Sequence, residues 1–503
     1  MPLTRVSSDP FTNTTSQHAT EVEPDTFSNG STVVAAFQVG RFFNGGGTDI
    51  GFARSTDGGA SYTTTDVLPG LTATSGLGGT TGAPFERVSD ASVAFDASHH
   101  TWLISSIPIM SSLLVPTVFT NRSTDGGVTW STPSSIPQPA AQKVNLDKNW
   151  IVCDNTVASP HYGNCYTEFD NNAETDLEEM STSTDGGVTW SQPVSPQGNP
   201  HGLGGQPVVQ PNGTVIVPFE TITGKEAAFQ STDGGATWSH ASTIASIAFN
   251  TVGGGLRTSP LPSAEIDGAG NVYVAWEDCR FRVKCGSNDI VFSSSSDGTT
   301  WSAVKRIPID PVTSGADHFI PGLAVDKATS GSGAHLALTY YFYPDATCNG
   351  GCQLDTGYIS SPDGGAHWGT PTKLAGPTVL FNIADTSQGR MVGDYISTSF
   401  NSTGLAATVF AVGVPPTGSQ AFNEAMYAPT SPLAVASAAG ATRVASSAGV
   451  HSTGGTGQGV LLQSVRRGRC GHSPRRHAAA GQVCNRRDHR AAHCRGRPEL
   501  PGR

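Results

Sequence analysis

Charge is scarce in this chain. Only 14% of its 503 residues are Asp, Glu, Lys or Arg. No window reads as a long amphipathic helix, which turns the reading away from helical architectures. No apolar run reaches the length of a membrane-spanning helix, so no membrane span is expected. The opening stretch MPLTRVSSDPF lacks the apolar core of a secretory leader. What is abundant instead is glycine, with 60 copies, a composition that suits short strands and many turns. The length exceeds one ordinary single-core domain, so either several domains or one architecture built by repetition is implied.

Charge is also unevenly placed. Eleven of the 29 basic residues lie in residues 464–503, all of them Arg, against two acids, Asp488 and Glu499. Residues 1–463 hold 18 basic residues against 38 acidic ones. Body and tail are therefore separate things. Six of the nine cysteines form close pairs in the body: Cys153 and Cys165, Cys279 and Cys285, Cys348 and Cys352. Local even pairing reads as disulfides clipping loops, which requires an oxidising compartment. No pair has a second pair at zinc spacing, so no metal is expected.

One phrase recurs. RSTDGGVTW ends at Trp130, TSTDGGVTW at Trp190 and QSTDGGATW at Trp238. Drifted copies surround Asp57, Asp297 and Asp363, giving six aspartates with Asp125, Asp185 and Asp233. A fixed unit with variable spacers signals a repeat architecture. In each copy Asp is expected to close a turn by accepting from the backbone N–H two residues on. Gly-Gly supplies positive φ, and Trp begins the next strand and packs on the neighbouring sheet. Two further strands precede the strand that leads into each copy and a short one follows, so a unit holds four antiparallel strands, as β-propeller blades do. Inner strands start near Glu21, Asp90, Asp147, Gln206, Ser263, Phe319 and Val392. The last unit lacks a fourth strand, and PLTRVSSDPF resembles the outer strands elsewhere. The reading is an all-β, seven-bladed propeller closed by its own N-terminus, with six blades as the alternative. Residues 1–430 form the propeller and 431–463, rich in Ala, Ser, Thr and Gly, a linker. Residues 464–503 form a disordered Arg-rich tail. The tail reads as a shifted frame of GC-rich DNA, ahead of a nucleic-acid-binding arm or a metal site at Cys470, His472, Cys484, His489, His493 and Cys494. No nucleic-acid partner is expected.

The phrase S-x-D-G-G-x-T-W is the Asp-box, or BNR repeat, and residues 1–430 resemble the sialidase-like propeller superfamily. WEDCRFRVKC, DHFIPGLAVD and GRMVGDYIS resemble stretches of secreted bacterial proteins described as sialidase-like glycosyl hydrolases. The resemblance implies a secreted, monomeric glycoside hydrolase releasing terminal, sialic or other acidic, sugars from glycans without a cofactor. The alternative is a non-catalytic propeller that binds glycans or proteins. Ligands of propellers meet the axis where the inner strands start, and the polar residues there include His18, Glu21, Lys148, Gln206 and Asp394. The resemblance further implies three arginines on a sugar carboxylate, here Arg87, Arg257 and Arg390. It implies a tyrosine nucleophile, Tyr395, helped by Glu265, and an acid/base aspartate, Asp90, with Asp147 second. Asp147, Asp317 and His318 are further binding candidates, and Arg280 and Arg282 are rim candidates. The F-R-I-P motif of the superfamily is missing. HFIP at His318 to Pro321 lacks the Arg, and GRFF at Gly40 to Phe43 is not read as its replacement.

Overall fold

Strand pairing in the computed structural model follows the repeat. The structure describes residues 1–74, 85–140, 142–348 and 351–437, with the short segments Thr442–Arg443, Gln482–Cys484 and Cys494–Gly496 beyond them. Antiparallel units succeed one another along the chain. The first runs through Gln17–Asn29, Thr32–Arg41, Gly47–Ser55 and Thr64–Val67. The second has Phe85–Asp96, Thr101–Met110, Phe119–Ser123 and Ser134–Ser135, and the third Leu146–Cys153, Cys165–Asn171 and Leu177–Ser183 with a bridge to Val194. Val208–Val209, Val215–Thr221, Lys225–Ser231 and Ser242–Ser246 come next, then Ser263–Ile266, Val272–Asp278, Asp289–Ser295 and Lys305–Arg306. Asp317–Val325, Leu336–Tyr343, Gln353–Ser361 and Thr372–Val379 follow, and finally Ser397–Phe400, Ala406–Gly413 and Glu424–Pro429. The first, second and last units join into one curled sheet through Thr20 with Glu424 and Gly47 with Val88.

The missing fourth strand of the last unit is Leu3–Arg5, which pairs antiparallel with Pro429, Ala428 and Tyr427. Residues beyond 430 also pack: buried Leu433 bridges Ala406, and the Tyr358 hydroxyl donates to the Ala434 carbonyl at 3.2 Å. The packed body thus runs past the boundary expected at 430. The chain divides into two compact units, Met1–Ala448 and Gly449–Arg503. The expected linker beyond 437 and the tail lie outside the described residues, the three short segments apart. The three disulfides are present as paired in sequence: Cys153–Cys165, Cys279–Cys285 and Cys348–Cys352. No helix among the described residues is long and apolar enough to cross a membrane.

Asp297 accepts the N–H two residues on, from Thr299 at 2.8 Å, as expected, but the other Asp-boxes reach further. Asp185 Oδ1 accepts the N–H groups of Val188 at 3.0 Å and Thr189 at 2.9 Å, three and four residues on, and Oδ2 accepts the Thr189 hydroxyl at 2.6 Å. Gly186 and Gly187, at φ 70° and 78°, coil the chain back so that these later donors face the carboxylate. The Ser183 hydroxyl donates to Asp185 at 2.9 Å and accepts the Gly187 N–H at 2.9 Å. Trp does not open the outer strand, which starts four residues later, as at Ser242 after Trp238. Its ring still packs on the preceding unit: Trp130 lies edge-on to Phe52 at 5.6 Å and Trp368 to Phe292 at 6.0 Å. Arginines tie box to box. Arg54 Nε donates to the Gly126 carbonyl and Arg122 Nε to that of Gly186, both at 2.6 Å.

Two outcomes are expected. Deleting residues 1–7 bares the Glu424–Pro429 edge and promotes self-association, measured by light scattering; a monodisperse variant with unchanged melting counts against closure. Asp185→Ala strips acceptors from turn donors and costs about 1–2 kcal/mol in chemical denaturation, with ligand binding per folded molecule unchanged.

Candidate functional site

The inner strands share an irregularity. Glu23, Asp90, Lys148 and Ile320 all sit at positive φ, 57°, 53°, 52° and 50°. At each of them the register with the second strand slips, between Val22 and Asp25, Ser89 and Ser92, Asp147 and Trp150, and Phe319 and Pro321. These are β-bulges, which re-aim a side chain at the cost of a strained left-handed residue, about 1–2 kcal/mol each. Three of the four re-aimed side chains are ionisable. Gly393, at φ 138°, makes the corresponding turn before Asp394 in the last unit.

The re-aimed groups meet. Lys148 Nζ and Arg257 Nη2 both bond Asp394 Oδ2, and Lys148 Nζ lies 3.8 Å from Glu23 Oε1. The Asp394 N–H donates to Glu23 Oε1 at 3.0 Å. Gln38 Nε2 donates to the other Glu23 oxygen, while Gln38 Oε1 accepts Arg41 Nη1 at 2.5 Å. Asp90 accepts the Ser89 hydroxyl at 2.7 Å and the Lys148 N–H at 3.1 Å. Glu23, Arg41, Asp90, Lys148 and Asp394 are all buried, whereas Asp147 is half-buried and the Arg257 side chain is 20% exposed. Burial pushes the Glu23 carboxyl up to about 7; Lys148 and Arg41 pull it down, and Asp90 and Asp394 push with burial. Burial opposes the charged forms of Lys148 and Arg257, but carboxylates led by Asp394 outweigh it and raise both.

Below this cluster the axis continues as a cavity of about 40 Å³, lined by residues of every inner strand, among them Asp25, Trp150, Gln206, Glu265, Lys327 and Ser397. It has room for a few waters and none for a sugar. A sugar would have to meet the charged cluster above it.

The site therefore departs from the expected one. Of the three arginines, only Arg257 joins the cluster. Arg87 is held at the rim by Asn44, the Gly45 carbonyl and Glu86, with its guanidinium 4.3 Å from the Phe42 ring centre. Arg390 donates to the Ile383 carbonyl at 3.0 Å and lies between the rings of Phe381 and Phe422. Glu265 lies in the cavity, where burial raises it to about 7 against the pull of Lys327. The carboxylate that bears most on Tyr395 is Glu23. The Tyr395 hydroxyl donates to the Ala91 carbonyl at 3.1 Å, and burial, then Glu23 and Asp90, push its pKa far up. Its ring meets Trp150 edge-on at 5.1 Å. Near the chain start, His18 bonds Asp9, and Glu21 accepts Ser7 at 2.7 Å. Asp317 accepts from Asn288, and His318 stacks on Phe342 at 5.8 Å, buried and lowered to about 4 by that burial. Arg280 is taken by Asp278. Asp289, Asp310 and His318 could together hold a cation, but Arg282 and Arg306 already bond both carboxylates. An ion there would have to displace two guanidinium groups.

Glu23 and Arg41 were not anticipated. The signals for them were Glu-Pro-Asp breaking the alternation of the first inner strand, and an arginine closing the apolar run of the second.

A second acidic group lies on one face of the third unit, where Asp147, Asp170 and Glu178 stand opposite one another across three strands and Glu168 follows two residues before Asp170. Glu168, Asp170 and Glu178 are fully buried. Burial, then neighbouring carboxyls, raise Glu168 and Asp170 well above the usual range, and burial raises Glu178 to about 8. Glu178 keeps a proton in the folded protein that the unfolded chain loses near 4.5. The stability it contributes is present below about 4.5 and is lost as pH rises to about 8. The melting temperature is expected to fall across that window, and Glu178→Gln to make the fall shallower. A melting temperature that rises with pH contradicts this.

The sequence matches the family described as a BNR repeat-like domain over residues 85–266 and, in an overlapping match, 164–321. No curated protein matches it. Among solved structures, a Hadza microbial sialidase is similar at 17% identity and TM-score 0.44, over 64% of this chain and 64% of that one. A Dyadobacter fermentans protein of unknown function is similar at 16% and 0.46, over 72% and 100%. Trypanosoma rangeli sialidase in complex with the inhibitor DANA is similar at 13% and 0.45, over 68% and 56%. This chain thus spans less than two thirds of the length of either sialidase.

Proposed function

We propose, from the match to a BNR repeat-like domain over residues 85–266 and 164–321, that the chain is a sialidase-like glycoside hydrolase on a seven-bladed propeller whose chemistry lies at the axial charge cluster. The observation that carries the reading is that cluster itself. Strained bulges from separate units bring carboxylates, cations and a tyrosine to one point, and strain held at one point is a mark of a built site. The cavity lined by every inner strand and the pairing of Leu3–Arg5 support seven blades over six. The disulfides support an oxidising, extracellular setting.

The roles differ from the expected ones in two places. Glu23 replaces Glu265 as the partner of Tyr395. Asp147, the half-buried carboxylate at the cluster's edge, replaces Asp90 as acid/base, because Asp90 is buried while Asp147 keeps a face open to solvent. The Tyr395 hydroxyl leaves the Ala91 carbonyl and hands its proton to Glu23 while its oxygen bonds the anomeric carbon. The bond to the leaving oxygen breaks as Asp147 protonates it. Water, deprotonated by Asp147, then attacks the anomeric carbon and releases the tyrosine, which recovers its proton from Glu23.

Glu23 must be ionised to accept that proton, so kcat/KM is expected to rise with pH through about 7 and to be lost below it. Hydrolysis of a panel of aryl glycosides checks this. Tyr395→Phe and Asp147→Asn should each lose about 100-fold or more, and Glu23→Gln should abolish the acid limb. Full activity in Tyr395→Phe removes the nucleophile, and no turnover of any glycoside removes the hydrolase.

A further inference from the structure

All ten arginines between residues 1 and 437 already meet acceptors of the protein itself. At the axis the pairing is close to one for one. Arg41, Lys148 and Arg257 face Glu23, Asp90 and Asp394, and Asp147 adds a fourth carboxylate on the open side. The most exposed of the three cations, Arg257, places its terminal nitrogen on the same Asp394 oxygen that takes the Lys148 ammonium.

We propose that Asp394 is a built-in occupant of the anion position between Arg257 and Lys148, so that the axial site is closed to carboxylated sugars and takes uncharged glycosides. This rests on the hydrolase reading for the word glycoside; the exclusion of carboxylates rests on geometry alone.

Asp394 is not a chance visitor to that position. Its backbone is pinned by the N–H bond to Glu23. The preceding Gly393 leaves no room for a side chain, since a Cβ there would lie 2.8 Å from the Tyr395 carbonyl and 2.9 Å from the Glu23 backbone. A sugar carboxylate would have to move Asp394 off both cations and then sit beside it and Asp147, adding a charge to a site with no spare cation. Arg87 spends both terminal nitrogens on Asn44 and Glu86, and Arg390 spends Nη1 on the Ile383 carbonyl with Nε 3.8 Å from Asp385. An uncharged sugar meets no such barrier. Asp147 and the open edge of Arg257 can hydrogen-bond hydroxyl groups. Phe381, 70% exposed and packed on Arg390, offers an apolar face close by, because the Arg390 carbonyl accepts the Arg257 N–H at 2.7 Å.

The test has a binding arm and a turnover arm. In the binding arm, N-acetylneuraminic acid and glucuronic acid are titrated into the wild-type protein and followed by calorimetry and by the guanidinium NMR signals of Arg257. No binding at millimolar concentration and unmoved signals are expected. Asp394→Asn removes the competing negative charge from both cations and should bind either acid at least about tenfold more tightly. Wild-type binding of an acidic sugar that Arg257→Ala abolishes overturns the proposal, as does a folded Asp394→Asn that gains nothing. If Asp394→Asn does not fold, the wild-type titration still decides. In the turnover arm, release from aryl glycosides of neutral sugars with none from sialosides or glucuronides supports the proposal, and release from either acidic glycoside overturns it. If no glycoside of any class is turned over, the hydrolase reading falls while the binding arm continues to decide whether carboxylates are excluded.

Discussion

Three backbone pairs between Leu3–Arg5 and Glu424–Pro429 hold together chain segments more than four hundred residues apart. Without them the last unit ends in an open edge, and its inner strand has less to set its position. The pairing also reaches the axis. Ser7, just past the closing strand, accepts the Met426 N–H at 2.9 Å and donates to Glu21 at 2.7 Å, and Arg5 lies 3.4 Å from the same Glu21 oxygen. Glu21 is two residues from Glu23, whose carboxylate anchors the Asp394 backbone. Closure and site are thus joined through one short stretch of the first inner strand, so a loosened N-terminus is felt where the charges converge.

The legible part of the fold was local. Six Asp-boxes announce six turns because a turn's chemistry is contained in a few residues, and the close cysteine pairs announce themselves for the same reason. Inner-strand starts could be read from where alternation resumes after a polar run. The chemistry of the site was harder to read, because it depends on one-residue slips. A bulge turns a strand's outward residue toward the axis. Glu23, read by strict alternation from Glu21, should share that residue's face; the slip after Val22 gives it another. Glu265, in a regular strand, stays in the cavity wall. Arg41 was not singled out, since GRFF was not read as a replacement for F-R-I-P, yet its place at the end of a buried strand, hydrogen-bonded to Gln38, puts it among the axial charges.

The arginine expectation failed for an electrostatic reason. A guanidinium that clamps a ligand must be left short of partners in the free protein, and burial makes such a shortage expensive. Arg87 and Arg390 instead carry carbonyl, amide or carboxylate partners and aromatic faces that settle them at the rim. Counting arginines near strand starts cannot distinguish the two situations, because the partners come from loops distant in sequence, Asn44 for Arg87 and Ile383 for Arg390.

Staple and site occupy different parts of the repeat. Each Asp-box lies between the third and fourth strands of a unit, and its hydrogen bonds are to its own turn and to the neighbouring box. The charged groups gather mainly on the bulges of the inner strands. A drift such as Tyr62 in place of Trp, or the shortened turn at Asp297, changes packing at the outer side without moving Glu23 or Lys148. Conversely, the axial residues can change without touching a turn that holds the sheets. The repeat is consequently evidence for architecture alone, and the balance of charge on the axis carries what can be said about chemistry.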